Sequence, residues 1–83
     1  MVNTSIQDEM IKTVENIFST YDTKRAELIQ GELESLGFIR VGGNPSALSM
    51  ENRNLELFII LGLDESQGII NHEILRFSDI SKK

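Results

Sequence analysis

Leu55-Glu56-Leu57-Phe58-Ile59-Ile60-Leu61-Gly62-Leu63 is the most apolar run of the chain, and its reading decides the fold. The run is short and is β-branched or aromatic at Phe58, Ile59 and Ile60. Asn52-Arg53-Asn54 precedes it and Asp64-Glu65-Ser66-Gln67-Gly68 follows it, both turn-forming sequences. Together these features predict a central β-strand rather than a helix. Alternation then sends Leu55, Leu57, Ile59, Leu61 and Leu63 to one face and Glu56, Phe58, Ile60 and Gly62 to the other. The first face requires helices to cover it. The second is also apolar at its centre, so it must be covered in turn or offered to a partner.

The helices come from the N-terminal half. Ile6, Met10, Ile11, Val14, Ile17, Phe18 and Tyr21 recur at three- and four-residue spacing, with Asp8, Lys12, Glu15 and Asn16 on the opposite side. Thr4 or Ser5 is suited to cap this helix. The stripe lapses at Lys24 and Arg25 and resumes with Leu28, Ile29, Leu33 and Leu36, ending at Gly37. A Schellman terminus is expected there, with Phe38 set against Leu33. Gly31 interrupts the stripe and is expected to allow close packing against a neighbour. Asp22-Thr23 could start a second helix, so residues 5–36 read either as a helix pair or as one helix. A single helix would run about 48 Å, longer than a small sheet can cover.

Downstream, strands are expected at about 38–41, 47–50, 55–63 and 69–77. Gly42-Gly43-Asn44-Pro45 is the strongest breaker, and a short helix from Pro45 is the alternative to the strand at 47–50. The apolar pattern of Ile70, Ile74, Leu75 and Phe77 changes face, which predicts a bulge near Ile74-Leu75. Ser78 to Lys83 reads as a polar tail. The fold class is therefore α+β: an N-terminal amphipathic helical segment on a small antiparallel sheet of three to four strands, forming one domain over residues 1–83.

Composition narrows the function. The chain has 83 residues, no cysteine and a formal charge of −5, with a pI near 4.7. Direct binding to nucleic acid needs a clustered basic face and is not expected. The longest apolar run is far below the roughly 20 residues of a membrane span, and Met1 to Ser5 lack a signal-peptide pattern, so a soluble cytoplasmic protein without membrane attachment is expected. Without cysteine, and with His72 as the only histidine, no metal site or cofactor is expected. His72 and Glu73 alternate to opposite faces of a strand and cannot act together. Asp64-Glu65-Ser66-Gln67-Gly68 lacks the ligand spacing of a calcium loop, because Ile69 and Ile70 fall at later positions. The serines lack a nucleophile context. Catalysis is therefore not expected.

Acidic rows are the clearest surface pattern. Asp8, Glu15 and Asp22 are seven apart, as are Glu27 and Glu34, which is nearly two helical turns. Such rows are usually the solvated side of an amphipathic helix. They also suit docking to a basic or nucleic-acid-binding protein. The expected function is thus a non-enzymatic, inhibitor-type or accessory protein that occupies a partner through these carboxylates and through Phe58 and Ile60. The alternative is a homodimer that binds a small molecule at Arg40, His72 and Arg76.

Overall fold

Asn3, rather than Thr4 or Ser5, starts the first helix. Its Oδ1 accepts the Ser5 N–H at 2.7 Å, and its carbonyl accepts the N–H groups of Ile6 and Gln7. The computed structural model describes residues 3–20 and 25–80. Their elements are α1 (Thr4–Thr20), α2 (Ala26–Ser35), β1 (Ile39–Asn44), β2 (Ala47–Asn52), β3 (Leu57–Leu63), β4 (Ile69–Arg76) and a final helical turn α3 (Phe77–Ile80). The sheet is an antiparallel meander in the order β1-β2-β3-β4. The fold is α+β, a helix pair on a four-stranded antiparallel sheet.

The helical half divides because the chain is extended at Arg25 (φ −80°, ψ 135°), where it bridges to Gly68. The Ala26 N–H donates to the Gln67 carbonyl at 2.9 Å. The β3–β4 turn therefore fixes the start of α2, next to the lapse of the apolar stripe at Lys24 and Arg25. The end of α2 follows expectation. The Phe38 N–H reaches the Leu33 carbonyl and the Gly37 N–H reaches that of Glu34, with Gly37 at φ +98°.

The core lies between the helices and one face of the sheet. Val14, Phe18, Ala26, Ile29 and Leu33 meet Leu48, Met50, Leu57, Ile59, Leu61 and Leu63. The helical stripe is narrower than its spacing suggested: Ile6 and Leu28 are exposed, and the buried line on α1 runs through Gln7. Tyr21 lies outside the described residues. Gly31 is exposed, and a Cβ there would meet nothing within 4 Å, so it serves no close packing.

Four strand details depart from expectation. β1 runs through Gly42, Gly43 and Asn44, and the chain turns only at Pro45-Ser46, where Asn44 Oδ1 accepts the Ser46 N–H at 2.8 Å. Glycines can sit in an edge strand when the partner strand supplies the hydrogen bonds. The segment after Pro45 is the expected strand, β2, and the alternative short helix does not form there. β3 begins at Leu57, because Leu55-Glu56 belongs to the preceding turn and Glu56 has φ +56°. In β4 the bulge falls at Ile70, where pairing skips from Ile69 to Asn71, and not at Ile74-Leu75. The strand then ends at Arg76 and Phe77 opens α3 in place of the expected strand end; Ser78 and Asp79 are exposed, and residues 81–83 of the expected tail lie outside the described residues.

Candidate functional site

Strand register sorts the side chains into rows across the sheet. On the helix side the rows are Arg40–Met50–Ile59–Ile74 and Gly43–Leu48–Leu61–His72, followed by Asn52–Leu57–Arg76. On the other side they are Ile39–Glu51–Phe58–Leu75, then Gly42–Ser49–Ile60–Glu73, then Asn44–Ala47–Gly62–Asn71. Both helices of the pair pack on the first face. Phe58, Ile60 and Leu75 are half-buried, and Ile39, at the edge of the Phe58–Leu75 row, is 54% exposed. The shortest dimension of the molecule is 17 Å, the depth of one helix layer on one sheet. Among the described residues, α1 and α2 leave the second face uncovered.

The acids Asp8 and Glu15 of α1 are both engaged with β4. Asp8 pairs with Arg76, whose Nε also donates to Gln7 Oε1 at 3.1 Å. Glu15 Oε1 lies 2.8 Å from His72 Nε2, and against a carboxylate that nitrogen donates. Both pairs tie α1 to β4. They are partly solvated, so each contributes on the order of 0–1 kcal/mol and serves chiefly to set how the helix lies on the strand. On α2, Glu27 approaches Arg25 at 4.0 Å, and Glu34 accepts a long hydrogen bond from Gln30 at 3.4 Å. Asp22 lies outside the described residues. The acids on α1 and those on α2 thus belong to separate helices, with Asp8 and Glu15 turned toward β4.

The set Arg40, His72 and Arg76 is divided. Arg40 is on β1 and the other two are on β4, at opposite edges of the four-stranded sheet. Arg40 instead shares a cavity of about 280 Å³ with Arg25, between the start of α2, β1 and the β3–β4 turn. Leu48, Leu63 and Ala26 supply apolar lining, and Gln67 and Glu27 supply polar lining. That turn is held by Asp64, whose Oδ1 accepts the N–H groups of Ser66 and Gly68 at 2.9 and 2.8 Å. Among the described residues, no group of three or more His, Cys, Asp or Glu side chains could hold a metal ion. No helix among them is long and apolar enough to cross a membrane.

The chain matches no protein-family model, no curated protein and no solved structure.

Two buried polar side chains were not singled out by the sequence reading. Gln7 Nε2 donates to the Leu55 carbonyl at 2.9 Å, and Asn52 Nδ2 donates to the Leu36 carbonyl at 3.2 Å while its Oδ1 accepts the Leu55 N–H. Both periodicities contain the signal. Gln7 precedes Val14 by seven residues on the buried line of α1, and Asn52 continues the inward alternation of Leu48 and Met50. They fix the β2–β3 turn beneath the helices. Neither is exposed enough to meet a ligand.

Proposed function

We propose that this protein is a non-enzymatic interaction module whose open sheet face is occupied by a partner protein with an apolar ridge and basic flanks. The observation that carries the reading is the set Ile39, Phe58 and Leu75, in one row with Glu51, and Ile60 beside them, apolar side chains on the face opposite α1 and α2. Water-exposed apolar surface of this kind gains free energy on burial by a partner. Charge decides between partners. Glu73 stands beside Ile60 without an ion pair among the described residues, Glu51 is held by Arg53, and the whole chain carries −5. Two copies of this face would bring carboxylate toward carboxylate, whereas a basic rim would complement it. The acids on α1 contribute to the long-range field but less to contact, because Asp8 and Glu15 are paired with β4.

The test uses Phe58→Asp and Ile60→Asp, each with its melting temperature measured. A basic protein retained in stoichiometric amount by the wild type, bound again when both are purified, and lost with either folded variant is the expected result. Binding that is indifferent to both substitutions would place the interface elsewhere. A dimer by sedimentation that both substitutions break would assign the face to a second copy.

A further inference from the structure

On the opposite side of the sheet, and independently of that reading, the structure assigns the cavity between α2, β1 and the β3–β4 turn as a binding site for a small organic carboxylate. Arg40 points to the helix side of the sheet, in the same row as the fully buried Met50. Its guanidinium folds back over Gly43, where an added Cβ would lie 3.2 Å from the Arg40 Nη2. Among the described residues it makes no hydrogen bond and no ion pair, although the other arginines on strands or turns, Arg53 and Arg76, are each paired with an acid. A guanidinium presents a planar fork of donors that matches a carboxylate in two parallel hydrogen bonds. Arg40 is therefore an unused fork at the mouth of a cavity.

The charges around it select the ligand. Arg25 and Arg40 bring two positive charges and Glu27 brings one negative, 4.0 Å from Arg25, so the lining carries a net charge of about +1. A monoanion neutralises that balance, and a dianion such as a phosphate monoester exceeds it. The rest of the lining sets the body of the ligand. Leu48 and Leu63 are core residues whose edges reach the cavity, with Ala26 beside them. Gln67 adds an amide whose present contact, to the Pro45 carbonyl, is long at 3.5 Å. A cavity of about 280 Å³ is at the lower end of ligand-binding pockets. It suits a compact apolar acid whose carboxylate meets Arg40 and whose hydrocarbon part lies on Leu48 and Leu63.

Benzoate and hexanoate are the probes, with benzamide and inorganic phosphate as comparisons at matched ionic strength. In NMR spectra of the full chain, the carboxylates are expected to shift the Arg40 side-chain N–H signals and the methyl signals of Leu48 and Leu63, saturably. Arg40→Gln, a substitution at an exposed position, should weaken that binding about tenfold or more, as loss of a charge-assisted hydrogen bond does. Its unchanged amide spectrum elsewhere would show that the fold is intact. No saturable shift with either carboxylate overturns the assignment, as do equal shifts with benzamide or binding that Arg40→Gln leaves unaltered. Tighter binding of phosphate than of benzoate would overturn the choice of a monoanion.

Discussion

His72 lies flat on Phe18, with ring centroids 3.9 Å apart and ring planes within 2° of parallel. The contact joins β4 to the last full turn of α1, and the imidazole is held from its edge by Glu15. Phe18 is buried and belongs to the core, so the only histidine of the chain is built into the helix–sheet junction. Its imidazole is engaged on one face by a ring and on one nitrogen by a carboxylate. It acts as a structural contact.

A double-mutant cycle with Phe18→Leu and His72→Gln should therefore show coupling of about 0.5–1.5 kcal/mol, the usual range for paired rings. Urea denaturation of the two single variants and the double variant measures it. Additive effects within about 0.3 kcal/mol would mean that the stacking contributes nothing beyond burial.

Neighbouring residues of β3 should respond differently to truncation. Ile59 is fully buried beneath the helices, and Ile59→Ala is expected to cost about 2–5 kcal/mol. Ile60 faces the open side and is half-buried, so Ile60→Ala should cost roughly 1 kcal/mol. Equal losses in denaturation of the isolated chain would mean that the second face is already covered.

Two glycines should give opposite signs. Gly31 lies inside α2 with free space around it, so Gly31→Ala should stabilise by about 0.8–1 kcal/mol through helix propensity alone. Gly37→Ala places a side chain at φ +98° and brings a Cβ within 3.1 Å of the Asn52 amide nitrogen. A loss of about 1–2 kcal/mol is expected. Thermal melts read both, and a stabilising Gly37→Ala would contradict the terminal geometry of α2.

Gln7→Ala would leave the Leu55 carbonyl without its side-chain donor and Arg76 Nε without its acceptor. These groups are half-buried and Arg76 keeps Asp8, so a loss of about 1 kcal/mol is expected, the lower end for an unpaired polar group. Asn52→Ala should behave alike, because it frees the Leu36 carbonyl and the Leu55 N–H. Amide hydrogen exchange should speed up in residues 53–56 in both variants. Unchanged exchange there would remove these side chains as anchors of the turn.

The parts of the fold that could be read from sequence are those specified locally. Alternation in β3 assigned Leu57, Ile59, Leu61 and Leu63 to the helix side and Phe58 and Ile60 to the other, and the Gly37-Phe38 pattern marked the end of α2. What escaped reading depends on partners distant in sequence. Arg25 is extended because Gly68 pairs with it, and Gly42-Gly43 remain in β1 because β2 holds them. The excess residue of β4, Ile70, is set by pairing with β3 and leaves no mark in the local periodicity of the strand. The candidate sites follow the same division. Phe58 and Ile60 are visible as an outward pair, but Arg40 could be matched with Arg25 rather than Arg76 only once the strand order was known.

The two bulges have a shared consequence for how the molecule can meet others. Val41 is the extra residue on β1 and Ile70 the extra residue on β4, and these are the two outermost strands. An incoming strand needs an uninterrupted run of evenly spaced N–H and C=O groups, and a bulge breaks that spacing and twists the strand away. Ile70, 64% exposed, is thus placed where its apolar side chain cannot be joined by a regular ladder alongside it. Lateral growth into ribbons or fibrils is hindered on both flanks, and the broad side of the sheet remains the route of approach.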